Sequence, residues 1–218
     1  HPFRVYFSGT GQYTGYFSPF YGGGDVDLEK GGRNKPVSVV HYRTGKGDPV
    51  VSALCSSPDG NGTIFQIELV TLSVGDVNFT VPAVYKLVGS IGADSPYAVV
   101  KAGDNIFFLN KKGCFTLRSK QQIFNVLATD DFSAPIRNKF EAFNQAQVSK
   151  FAGYFRPPRV YFTVAEGAQN DTTIIFDMER QNWTYKWTVG FKQFFEYTEN
   201  TTAKTTRFMG VPPTGNQL

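Results

Sequence analysis

Tyr97-Ala98-Val99-Val100-Lys101 runs into the polar group Ala102-Gly103-Asp104-Asn105, then Ile106-Phe107-Phe108-Leu109, the turn Asn110-Lys111-Lys112-Gly113, and Cys114-Phe115-Thr116-Leu117. Short β-branched and aromatic runs punctuated by Gly, Asp and Asn are the signature of strands joined by tight turns. Three such strands in succession make an antiparallel meander, and the rest of the chain repeats the plan.

On the N-terminal side, Val50 to Leu54 reads as a strand, Ser57-Pro58-Asp59-Gly60-Asn61-Gly62 as its turn and Thr63 to Leu69 as the return. On the C-terminal side, Arg159-Val160-Tyr161-Phe162-Thr163-Val164 turns through 166–171 into Thr172-Thr173-Ile174-Ile175-Phe176-Asp177. That strand turns again at 178–182 and leaves as Trp183-Thr184-Tyr185-Lys186-Trp187. A fourth instance begins at Thr205-Thr206-Arg207-Phe208-Met209-Gly210. The starts, near 50, 97, 159 and 205, lie roughly 45 to 60 residues apart, the length of a four-stranded propeller blade. The expectation is an all-β chain of repeated antiparallel meanders, a partial or complete β-propeller, forming a single domain over 1–218.

Two stretches are less regular. Gly22 to Gly32, rich in Gly and acids, reads as a surface loop. Asp130 to Gly153 holds the one helical signal, with Pro135 near its start and apolar Ile136, Phe140, Phe143 and Val148, and reads as a short helical connection between sheets.

Composition agrees with strands. The chain has 21 Phe and 11 Tyr against 2 Trp and 2 Met, with 22 Gly and 12 Pro to break it. The net charge of +4 is spread over scattered residues such as Arg4, Lys46, Lys86, Lys111, Lys150 and Lys204, which gives no basic stripe for nucleic acid. No apolar run approaches the roughly 20 residues that span a bilayer. The start at His1-Pro2 and the end at Leu218, each close to a strand, read as a piece of a longer chain.

Chemistry-bearing motifs are sparse. His1 and His41 are the only histidines, and no nucleophile elbow, paired-histidine helix or phosphate-cradling loop occurs. Gly9-Thr10-Gly11 and Gly22-Gly23-Gly24 lack the strand-to-helix setting of nucleotide-binding turns. Asp25 with Asp27, and Asp130 with Asp131, are short of a calcium ligand set and read as solvated loop charges. No catalytic, cofactor or metal residues are assigned, and the chain reads as a structural or binding element, not an enzyme. Cys55 and Cys114 are either two buried small side chains or a disulfide.

Asn61, Asn78, Asn170, Asn182 and Asn200 each head an Asn-x-Thr acceptor pattern, which chance or a secreted glycoprotein would explain. Tyr13, Tyr16, Phe17, Phe20 and Tyr21 form one aromatic cluster, the candidate interaction surface, with core packing between β units as its other use. Phe191, Phe194, Phe195 and Tyr197 form another, open to core packing or to docking.

Arg4-Val5-Tyr6-Phe7-Ser8, then Tyr16-Phe17-Ser18-Pro19 and Asp25-Val26-Asp27, resemble the opening blade of propeller-like proteins of tailed-phage virions, of the tail nozzle and head-to-tail stabilisation type. Gly45 to Leu54 looks like the next blade, and Val99 to Gly113 like a following hairpin blade. Phe132-Ser133-Ala134-Pro135-Ile136 is similar to the link after it, and Ile174 to Asp177 with Trp183, then Arg207 to Gly210, continue the order. The resemblance implies a structural part of a tail or neck in the virion, with no catalytic residues. Its partners would be further copies of itself and neighbouring virion proteins, with DNA passing through a channel. The reading from a different class is a secreted carbohydrate-binding or adhesive β-domain that stacks Tyr and Phe on sugars.

Overall fold

A computed structural model describes residues 3–7, 24–29, 32–43, 49–119, 127–199 and 205–211. They are mostly strands in antiparallel sheets, as the hairpin pattern requires. The chain divides into two compact units, 1–92 and 93–218.

In the first unit β1 (Arg4–Phe7) pairs with β2 (Gly24–Asp27), so part of the stretch read as a surface loop is a strand. Its two acids do not oppose this. Asp25 and Asp27 both reach Arg4, at 3.0 and 2.8 Å, while Val26 packs inward opposite Val5. A meander follows in the order β3 (Lys35–Arg43), β4 (Pro49–Ser56), β5 (Thr63–Val74) and β6 (Val77–Val88). Pro36 has no N–H for the ladder, and the register between β3 and β4 shifts between Pro36 and Ser38. Leu28, Ala53, Cys55, Phe65 and Ile67 form this unit's core. The turn from β4 to β5 is the expected one, with Asp59 accepting from the Asn61 N–H at 2.9 Å. The Ser57 hydroxyl and the Asn61 donors hold the Asp59 carboxyl down to about 2.

The second unit stacks three sheets. The first has β7 (Val99–Ala102), β8 (Asn105–Asn110), β9 (Gly113–Ser119) and β10 (Leu127–Asp131) in sequence order. The next has β11 (Ala152–Arg156), β12 (Arg159–Val164), β13 (Thr172–Asp177) and β14 (Asn182–Trp187). The last pairs β15 (Gln193–Glu199) with β16 (Thr205–Val211). Sequence reading misses β10, β11 and β15 here, and β3 and β6 in the first unit, and it starts β7 two residues early. Pro96 and the cap Ser95, whose hydroxyl accepts from the Tyr97 N–H, wind Pro96–Ala98 into a 3-10 turn. The helical connection is where Pro135 and the apolar spacing place it. It is a 3-10 turn at Ala134–Ile136, the single-turn α1 at Arg137–Glu141, and a 3-10 stretch at Gln145–Lys150.

These strands are apolar without alternation because both faces are covered. On one side of the middle sheet Val160, Phe162, Ile174 and Phe176 meet Val100, Phe107 and Leu109 of the first sheet, together with Phe140, Phe143 and Val148 of the connection. On the other side Tyr161 and Ile175 meet Phe194 of β15. Phe132, just after β10, is the hinge of the aromatic core. Its ring stacks on Trp183 at 5.3 Å and 7°, and lies edge-on to Phe107 at 5.2 Å and Phe176 at 5.0 Å. The Trp183 Nε1–H donates to the Phe132 carbonyl at 2.9 Å.

Two tight turns need glycine. Gly75 and Gly103 each stand first in a Gly-Asp pair with φ +61°, the left-handed position that a two-residue hairpin demands. At Gly153 the demand is space. An added Cβ would lie 2.5 Å from Val100 and 2.8 Å from Phe162, so β11 approaches β7 closely only with glycine there.

Phe132→Ala should therefore lower unfolding free energy by about 2 kcal/mol, less than emptying a fully buried aromatic site because Phe132 is partly exposed. Trp183→Phe, which keeps the ring and loses the donor, should cost about 1 kcal/mol. Gly153→Val should destabilise more than Gly75→Ala, because the first wedges two sheets apart and the second strains one open turn. Urea denaturation of the three variants and of Gly75→Ala against wild type reads all four.

Candidate functional site

The sequence-derived surface of Tyr13, Tyr16, Phe17, Phe20 and Tyr21 lies outside the described residues. In the second cluster strand alternation separates the rings. Phe194 is buried, 5.2 Å from Phe191 and 6.0 Å from Tyr154, whereas Phe195 is 41% exposed on the opposite face. The side chain of Tyr197 is outside the described residues.

The acidic pairs are held by arginines. Asp25 and Asp27 share Arg4, Asp130 pairs with Arg118, and Asp131 pairs with Arg137 while accepting from the Ser133 N–H and hydroxyl at 2.9 and 2.6 Å. Among the described residues no three His, Cys, Asp or Glu side chains converge into a metal-binding group. Cys55 and Cys114 are both buried free thiols, one in each unit. Burial, with a contribution from Glu29, pushes the Cys55 thiol up to about 12, and burial pushes Cys114 up in the same direction. Of the acceptor asparagines, Asn61, Asn78 and Asn182 are exposed, Asn170 is buried, and Asn200 is outside the described residues.

Asn170 instead serves a polar clasp that joins the segments leading into β11 and β15. Its Nδ2 donates to the carbonyls of Lys150 at 2.7 Å and of Phe191 at 2.9 Å. Ser95, leading into β7, donates to the Phe151 carbonyl at 2.6 Å. Thr163 accepts from the Phe191 N–H at 2.8 Å, and Thr173 donates to the Val189 carbonyl at 2.7 Å. Gly190 passes so close that a Cβ would lie 2.2 Å from the Asn170 carbonyl, so only glycine fits. The loop carrying Asn170 is itself tied down. Asp171 accepts from the N–H groups of Glu166 and Gly167, each at 2.8 Å, and Asn144 donates to the Gly167 carbonyl at 2.7 Å.

This clasp floors an open recess of about 430 Å³, lined by Tyr97, Ser149, Lys150, Ala168, Gln169, Asn170 and Lys192. Tyr97 is 54% exposed, and Ser149, Lys150, Gln169 and Lys192 are exposed around it. Neither lysine pairs with a carboxylate among the described residues. A second recess of about 330 Å³ lies beside the helical connection, lined by Ile136, Phe143, Ile174 and Trp183, and there Lys186 and Glu166 pair with each other. Sequence reading placed Tyr97 in a strand, Lys150 in the helical connection and Asn170 in a turn. The one signal that relates Tyr97, Lys150 and Lys192 is that each comes one or two residues before the first strand of a sheet, which shows only once β7, β11 and β15 are placed.

No protein-family model and no curated protein matches the chain. No helix among the described residues is long and apolar enough to cross a membrane.

Asn170→Ala should leave the Lys150 and Phe191 carbonyls unpaired at the clasp and lower stability by about 2 kcal/mol or more, read by chemical denaturation. The thiols set an alkaline limit. A thiol whose pKa is raised on folding contributes stability fully below the unfolded value of about 8.5, and loses it as pH climbs toward the folded value. The denaturation midpoint should fall between pH 8.5 and 11, and less so in the Cys55→Ala/Cys114→Ala variant. Both thiols should resist a disulfide-exchange reagent in the native protein and react once it is unfolded.

Proposed function

We propose that this protein is a non-catalytic structural component of a virus particle, of tail or neck type, whose four-stranded meanders are blades of a partial or complete β-propeller. The observation that carries the reading is the order of first strands. β11 lies beside β7 and also beside β15, so each successive sheet sets its first strand next to that of the sheet before it. In a propeller the first strands of the blades line a common axis in this way, and each blade covers the apolar face of the next. The phage-virion half of the reading rests on the ordered motifs, from Arg4-Val5-Tyr6-Phe7 through Val99–Gly113 to Arg207-Phe208-Met209-Gly210, that resemble propeller-like tail and neck proteins.

Stacked sheets with both faces buried suit a part that bears load. Function then comes from contacts with further copies of the chain and with neighbouring virion proteins, around a channel that passes DNA. The exposed acceptor sites at Asn61, Asn78 and Asn182 favour the second reading, a secreted binding domain.

Native mass spectrometry of the protein isolated from its source, with peptide mapping, separates the two. A closed ring of unmodified subunits supports the virion component. A monomer carrying sugar mass at Asn61, Asn78 or Asn182 overturns it in favour of the secreted domain.

A further inference from the structure

We propose that the recess beside the Asn170 clasp is a binding site for an acidic sugar residue, a uronic-acid unit of a polysaccharide. Its size is that of a small-ligand site, which starts at roughly 300 Å³. Three kinds of group meet there. Tyr97 offers a half-exposed ring, the platform on which a pyranose face stacks. Lys150 and Lys192 offer two ammonium groups with no carboxylate partner among the described residues, enough to hold one carboxylate by charge-assisted hydrogen bonds. Ser149 and Gln169 offer a hydroxyl and an amide, which both donate and accept as ring hydroxyls do.

The balance of these groups selects the ligand. A phosphodiester chain presents acceptor oxygens and repeated charge, and a protein that follows one needs a cationic track with several stacking rings. Here one ring and two cations stand with neutral donor–acceptor side chains in a single recess, which matches a polyhydroxylated ring bearing one negative charge. The amide oxygen of Asn170, buried and without a hydrogen-bond partner among the described residues, adds an acceptor to the floor.

The walls are set in advance. The Lys150 carbonyl is held by Asn170, the Lys192 N–H donates to the Val211 carbonyl at 2.7 Å, and the Tyr97 N–H is capped by Ser95. The backbone needs no ordering on binding, which has only the exposed side chains of Lys150, Lys192 and Gln169 to immobilise. The site belongs to the second unit alone and does not rest on the virion reading, so a virion component and a secreted domain carry it equally.

The test titrates the protein with oligogalacturonate, with its fully methyl-esterified neutral form, and with a single-stranded oligonucleotide, following heat of binding and intrinsic fluorescence. Oligogalacturonate should bind, the esterified form at least about tenfold more weakly. Lys150→Ala/Lys192→Ala and Tyr97→Ala should each lose about tenfold or more for oligogalacturonate. All the changed side chains are exposed, so the melting curves of these variants should match that of wild type. Failure of oligogalacturonate to bind the folded protein overturns the proposal. So does binding that survives the double lysine change, or an oligonucleotide bound more tightly at the same residues. None of these outcomes bears on whether the protein forms rings.

Discussion

The second unit depends on one constraint: a four-stranded meander apolar on both faces has no stable existence until both faces are covered. The middle sheet meets it by packing one face on the first sheet and the other on β15, and the first sheet takes Phe140, Phe143 and Val148 of the helical connection into the same core. Phe132 shows how tightly the solution is drawn. It leaves the last strand of one sheet and stacks on Trp183 in the last strand of the next, whose indole N–H donates to its carbonyl. Aromatic packing and a hydrogen bond thus join two outer strands that share no ladder.

The segments leading into the first strands of these sheets are joined by polar groups. Ser95, Thr163, Asn170 and Thr173 are buried hydroxyls and an amide that answer backbone groups in the segments leading into β11 and β15. Buried side-chain hydrogen bonds of this kind fix geometry more strictly than apolar contacts, because a misplaced donor leaves a carbonyl unpaired. The recess inherits that rigidity. Its charged and aromatic side chains are exposed and free to meet a ligand, while the backbone beneath them is held from several sides.

Much of the fold is legible from turns. Gly103-Asp104, the Asn110–Gly113 group and Ser57–Gly62 mark hairpins because each uses residues that accept turn geometry, and Pro135 with the spacing of Ile136, Phe140 and Phe143 marks the helical connection. Three of the strands that escape have local physical reasons. β2 carries two acids that only the distant Arg4 neutralises, β10 ends in two acids paired with Arg118 and Arg137, and β11 holds Gly153 where space forbids a side chain. The Tyr97 turn hides in a run of strand formers because its cap, Ser95, answers a carbonyl more than fifty residues away.

By itself the sequence determined the strands with strong turns and the all-β class, since propensity and turn chemistry act within a few residues. Which faces are buried, which of Phe194 and Phe195 points inward, the burial of Asn170 in spite of its acceptor pattern, and the meeting of Tyr97, Lys150 and Lys192 were decided only by tertiary structure. Those outcomes depend on which sheet packs on which, and contacts between residues so far apart in the chain leave no local pattern to read.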